Sequence, residues 1–166
     1  MNSICGIRRI SLKDLKQKSF VNKGRVAEQF IAQHLAFSGK SNLSPSLTYW
    51  LRQGRSANAE VDFVTQLGQS IVPVEVKAGK SGSLKSLQQF VSEKNTRFAV
   101  RFDLNIPSFQ HVSHTLIREG TPVQVQFDLV SLPLYMVEEL LRVFNSLADG
   151  CCQDGQAVVQ KESQGN

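Results

Sequence analysis

Two neighbouring runs of the chain alternate with a period of two: Ala59-Glu60-Val61-Asp62-Phe63-Val64 and Ile71-Val72-Pro73-Val74-Glu75-Val76-Lys77. Alternation of this length predicts a half-buried β-hairpin. On the first strand the period places Glu60, Asp62 and Val64 on one face, opposite Val61 and Phe63. On the second it places Glu75 and Lys77 with Ile71 and Pro73, opposite Val72, Val74 and Val76. Directly paired residues of an antiparallel ladder point the same way, so register decides which acids meet. A four-residue connection from Leu67 to Ser70 pairs Asp62 with Glu75, whereas a two-residue turn at Leu67-Gly68 pairs Glu60 with Glu75. Either register crowds acids from both strands, with Lys77, onto one surface. Carboxylates so close repel each other unless a cation neutralises them, and the hairpin reads as a candidate metal site.

The remaining pattern supplies the surroundings. From Lys23 or Gly24 to Phe37, apolar residues recur at helical spacing, with Val26, Ala27, Phe30, Ile31, Leu35 and Phe37 on one side. Glu28 falls at the edge of that stripe, where it can lean over the sheet; a border residue of an amphipathic helix is the plainer reading. His34 lies within the apolar arc and is expected to be hydrogen-bonded and partly buried. Residues 38–46 read as a loop, Leu47 to Gln53 as a strand, and Gly54 to Asn58 as a turn. Pro73 cannot donate to a ladder, so an irregular or bulged start is expected there. Ser83 is the expected N-cap of a helix that carries Leu84, Leu87, Phe90 and Val91 inward. Gln88 on that helix is within reach of the hairpin, though a surface glutamine is the simpler reading. Arg97 to Phe102 and Val123 to Val130 alternate as strands, and Leu134 to Phe144 reads as an amphipathic helix.

Composition adds limits. The chain has 166 residues, 41% of them hydrophobic and 20% charged, enough for one domain with a substantial core. No apolar run approaches the ~18 residues that span a bilayer, and no signal-peptide stretch opens the chain, so a cytoplasmic protein without a membrane partner is expected. Cys5, Cys151 and Cys152 lie outside the patterned region and read as reduced, incidental thiols. The net charge of +5 is unevenly spread. Residues 1–25 hold seven bases against Asp14, while residues 26–145 hold eleven bases against ten acids. Residues 1–22 thus form a basic N-terminal arm, without periodicity beyond one short helical turn at Ile10, Leu12 and Leu15. Residues 145–166 form a polar tail expected to be disordered. Solvation is the ordinary role of such an arm; contact with phosphates is the sharper one.

Helix, three strands, helix and strand, with Glu28, Asp62 and Glu75-Val76-Lys77 in that order, resembles the PD-(D/E)XK nuclease superfamily. The local text is narrower. Gly24-Arg25-Val26-Ala27-Glu28-Gln29-Phe30, Tyr49-Trp50, Glu60-Val61-Asp62-Phe63-Val64 and Pro73-Val74-Glu75-Val76-Lys77-Ala78-Gly79 resemble an uncharacterised nuclease-like domain found at the C-terminus of prokaryotic AAA+-type ATPases. The resemblance spans roughly residues 20–144. It implies an α/β fold: a restriction-endonuclease-like αβββαβ core over residues 23–144, with a mixed central sheet, an added strand and a C-terminal helix. No Gly-x-x-x-x-Gly-Lys-Ser/Thr occurs in the 166 residues, so no ATPase half is read in this sequence, which fits a stand-alone version of the domain as well as a part of a longer protein.

By that resemblance Asp62 and Glu75 are the metal ligands, the main-chain carbonyl of Val76 is a third, and Glu28 orients a metal-bound water or serves a second ion. The implied metal is magnesium, with manganese as the alternative: a hard cation that needs few protein carboxylates. Lys77 holds the attacking water and lowers its pKa. Glu60 is an outer partner; parity alone does not separate it from Asp62, and only the family text favours Asp62. His111 and His114 have His-x-x-His spacing without a third ligand and are set aside. The resemblance leaves two functions open. One is a metal-dependent nuclease acting on DNA ahead of RNA. The other is a non-cleaving module that binds nucleic acid or a partner protein, with an ATPase or a second copy of the chain as the candidate partner. A salt-bridged, solvated sheet face is the plainer explanation of the acids; it fits Glu75 and Lys77 better than it fits Asp62 among Val61, Phe63 and Val64.

Overall fold

The computed structural model describes residues 7–10, 23–37, 47–53, 58–79, 83–118 and 120–147. The elements are β1 (Ile7–Ile10), α1 (Lys23–Phe37), β2 (Leu47–Arg52), β3 (Ala59–Leu67), β4 (Ser70–Val76), α2 (Lys85–Lys94), β5 (Phe98–Asp103), β6 (Ser108–Arg118) and β7 (Thr121–Pro133). A 3₁₀ turn over Leu134–Glu139 then runs into a last helix, α3, over residues 140–147. The strands form one mixed sheet of seven in the order β1-β2-β3-β4-β5-β7-β6. β1 through β4 pair antiparallel, β4-β5 and β5-β7 are parallel, and β6 returns antiparallel to β7. The parallel step from β4 to β5 is made through α2, as a parallel pair requires a crossover.

Helices cover both faces. Ala27, Ile31, Ala32 and Ala36 of α1 pack with Val137, Leu140 and Phe144 onto Phe63, Val72, Val74, Val76, Val100 and Phe102. On the other face Leu87, Phe90 and Val91 of α2 pack onto Trp50, Val61, Val64, Ala99, Phe127 and Leu129. Trp50 and Phe90 meet edge to face with centroids 5.4 Å apart, a geometry the ring quadrupoles favour. Val72, Val74 and Val76 share one face as their alternation predicts, and the sequence bounds of α1 agree with the observed ones.

Several expectations are corrected. Period two fails on β3. Thr48 pairs with Val64 and Trp50 with Val61, so two steps along β2 match three along β3. The extra residue is a β-bulge at Asp62-Phe63, and it brings Val61 and Val64 to the same core while Phe63 enters the other. Pro73 does not disturb its strand: it lies inside β4 opposite Val64. The Lys77 N–H donates toward β5, to the Phe102 carbonyl at 2.8 Å. Alternation turns the nitrogen of Pro73 to the same edge, where pairing with β5 begins only at Val74. Its missing donor therefore costs no ladder bond.

Part of the basic arm is a strand, since β1 pairs with β2 from Ile7–Trp50 to Ile10–Leu47; the helical turn proposed for Ile10, Leu12 and Leu15 starts on a strand residue and otherwise lies outside the described residues. β6 has no counterpart in the sequence reading. Its burial alternates only between exposed and half-buried, so no apolar face marks it. Leu84 rather than Ser83 occupies the N-cap of α2, although Ser83 Oγ still accepts from Lys85 N–H at 3.2 Å. Gln88 is buried, not a surface residue. The C-terminal helix opens as a 3₁₀ turn and continues through residues 145–147, so the proposed tail begins later; residues 148–166 lie outside the described residues.

Candidate functional site

The β3–β4 ladder runs from Leu67–Ser70 to Phe63–Val74. That is the register expected from the four-residue connection, although Leu67 and Ser70 themselves pair and the turn shortens to Gly68-Gln69; the next pair would be Asp62 with Glu75. The ladder does not continue as backbone pairing there. The bulge re-aims Asp62, and its Oδ2 accepts the Val76 N–H at 2.7 Å. A carboxylate thus takes the donor that a backbone carbonyl would otherwise satisfy. In an extended strand the N–H and C=O of one residue share an edge, so the carbonyl of Val76 faces the same gap.

Glu75 is 5% exposed. Its Oε1 accepts from Lys77 Nζ, two residues along the same face, while its Oε2 is buried with no partner among the described residues. Burial pushes the Asp62 carboxyl up to about 7, with Glu75 and then Glu28 adding repulsion against the relief given by Val76 N–H and Lys77. Burial also raises Glu75, helped by Glu28 and Glu60 and opposed by its bond to Lys77. Burial works to lower the Lys77 pKa, but the hydrogen bond and charge of Glu75, with Asp62 and Glu28, carry it above its ordinary 10.5. Lys77 is therefore an ammonium at neutral pH, a donor and a positive charge rather than a base.

The structure brings Asp62, Glu75 and Lys77 together, with Glu28 of α1 within electrostatic reach of all three. Glu60, on the far side of the bulge opposite Leu51, is exposed and touches the group only through its charge on Glu75. Sequence reasoning passed over a polar row across the parallel strands: Glu75 pairs in register with Arg101, and Arg101 with Ser131. Arg101 Nε lies 3.0 Å from Asp103, which is almost fully buried. Arg101 and Asp103 alternating with Val100 and Phe102 repeat the acids-among-valines pattern of the hairpin and were open to the same reading. His111 Nδ1 sits 2.9 Å from Asp128 Oδ1, and His114 is exposed. His34 Nδ1 lies 2.8 Å from the Phe30 carbonyl oxygen, as its place in the apolar arc suggests. An open hollow of about 510 Å³ lined by Gln33, His34, Phe37 and Glu138 includes none of the clustered residues.

The donors suit a hard divalent cation in kind: a buried carboxylate, Glu75, with an oxygen that has no partner among the described residues, and a half-buried one, Asp62, beside a freed strand edge. Among the described residues no group of three or more His, Cys, Asp or Glu side chains is close enough to hold a metal. Magnesium does not need one, because it keeps several waters and is held through one or two carboxylates. No helix among the described residues is long and apolar enough to cross a membrane.

Residues 23–116 match the profile of a family described as a domain of unknown function, DUF4143. Domains of that family are often found at the C-terminus of AAA-type ATPases. No curated protein matches the chain.

Proposed function

The chain belongs to the DUF4143 family, and from that premise we propose that it is a metal-dependent nuclease domain of restriction-endonuclease-like type, hydrolysing phosphodiester bonds of nucleic acid, DNA foremost. One observation carries the reading: Glu75 is buried beside Asp62 with an oxygen that has no partner among the described residues, and burial and mutual charge drive the Asp62 carboxyl up to about 7. A buried carboxylate with one oxygen left unsatisfied is expensive, and functional sites are where such expense is found. Asp62 and Glu75 would hold magnesium or manganese, with the Val76 carbonyl on the same gap. The ion would supply Lewis-acid stabilisation of charge at the phosphoryl oxygens. Lys77, held against Glu75 on one face, presents an ammonium that orients a water by hydrogen bonding and stabilises the negative charge that develops as it attacks. Glu28 adds negative charge from the helix side and positions solvent at the edge of the group.

A second reading, a non-cleaving module that binds nucleic acid or a partner such as an AAA-type ATPase, has its own support: Lys77 is engaged by Glu75 and Asp62 by Val76 N–H, so the group satisfies much of itself. Calorimetric titration of the full chain with magnesium and with manganese separates the two. Saturable binding lost in Asp62→Ala, together with metal-dependent nicking of duplex DNA, supports the nuclease. Nucleic-acid or partner binding without metal uptake supports the module.

A further inference from the structure

β6 forms one edge of the sheet, pairs along its full length with β7, and has no second strand partner among the described residues. An 11-residue edge strand presents a long row of open N–H and C=O groups, which proteins normally protect with Lys, Pro, inward charges or a short strand. Residues 108–118 contain no Lys, Pro, Asp or Glu, and Arg118 at the far end is the only permanent charge. Two large apolar side chains stand out on it, Phe109 at 49% and Ile117 at 70% exposure. Val112 and Leu116 pack toward the α2-side core, so alternation puts Phe109 and Ile117 together on the opposite face.

We propose that β6 pairs with β6 of a second copy of this chain, antiparallel about a two-fold axis through Ser113, so that the two sheets become one. Ser113 is the middle residue of the strand, and pairing centred there engages every residue from Ser108 to Arg118. A two-fold axis normal to the sheet keeps each face on its own side. It therefore sets Phe109 opposite Ile117 of the second copy, twice, as apolar cross-strand pairs. It also sets Arg118 opposite Ser108, which keeps the two like charges at opposite ends. The chain carries a net charge of +5, which resists self-association in general; a self-complementary strand whose one permanent charge, Arg118, sits at its end is where two copies approach with least repulsion. The inference is independent of the nuclease reading.

Sedimentation velocity on the full chain across a concentration series tests the pairing. A dimer is expected, weakened about tenfold or more by Phe109→Glu or by Ile117→Lys, because symmetry makes each change count twice. The double variant Phe109→Glu/Ile117→Lys places each new carboxylate opposite a new ammonium in this register alone, and is expected to dimerise more tightly than either single change. A wild-type monomer at all concentrations, a dimer indifferent to both single changes, or a double variant no better than the singles overturns the proposal. Hydrogen exchange on the unmodified chain gives a second reading that needs no variant: outward β6 amides should gain protection with concentration. Full protection already in the monomer would mean that another segment of the same chain covers the edge, and would also overturn it.

Discussion

Asp62 is the residue on which the site turns, because its charge is resisted by burial and by Glu75 and Glu28 together. Its carboxyl is raised from 3.8 to about 7 in the folded protein. The fold therefore binds this proton more tightly than the unfolded chain does. The stability linked to it is complete below about pH 4 and is lost as pH climbs through about 7. Glu75 is raised in the same direction and adds to the loss. Asp62→Asn keeps an acceptor for Val76 N–H and removes the charge, so it should stabilise the metal-free protein at pH 8 by on the order of 1–3 kcal/mol, with no gain at pH 4. Urea melts at the two pH values check this, and an Asn variant less stable at pH 8 would contradict the assigned burial. Metal uptake should strengthen between pH 5 and 8 as the carboxyls ionise, which calorimetry in several buffers can read as released protons. Lys77→Ala should abolish any metal-dependent cleavage while leaving magnesium affinity within a few fold, since the lysine offers no ligand. Full activity in that variant would remove Lys77 from the proposed chemistry.

At the scale of elements, the bulge and the two cores decide what the sequence could disclose. Val72, Val74 and Val76 obey period two on a regular strand, so their common face was readable. The face of Asp62 was not, because a single extra residue between Val61 and Val64 reverses the parity of the rest of β3 and leaves no mark in composition. Both registers offered by the hairpin were open until the Leu67–Ser70 closure selected one. β6 escaped notice for the opposite reason: with no buried face it has no pattern. Gln88 was misplaced because a polar residue beside Leu87 reads as solvent-facing, whereas the stripe of α2 is wide enough to include it. The packing of α2 gives a direct check. Phe90 is fully buried against Trp50, and Phe90→Ala should cost about 3–5 kcal/mol through the apolar burial it forfeits and the cavity it leaves. Denaturant unfolding measures it, with loss of the near-ultraviolet tryptophan signal as an accompanying sign.

For the whole molecule, charge and topology point to different surfaces. Residues 26–145 are nearly neutral while residues 1–25 are strongly basic, so duplex affinity should rest on the arm. Because β1 belongs to that arm and pairs with β2, deleting the arm would damage the sheet as well as the charge. Lys13→Gln/Lys16→Gln/Lys18→Gln is the cleaner variant. Each phosphate no longer neutralised by a lysine should flatten the dependence of log affinity on log salt by ~0.9, so a decrease of up to about 2.7 is expected by fluorescence anisotropy on a duplex. An unchanged slope would assign these lysines to solvation alone.

The bond from Val76 N–H to Asp62 also makes one amide a reporter. Throughout β3 and β4 the protons of the ladder are held by backbone carbonyls, whose strength does not vary with pH. The Val76 proton is held by an oxygen that changes its own affinity whenever it takes up a proton or is drawn toward another cation. Its exchange rate with solvent deuterium should therefore track the ionisation of Asp62, while the Val72 and Val74 amides serve as internal standards. A nuclear magnetic resonance experiment on that single resonance would register occupancy of the site before any substrate is known.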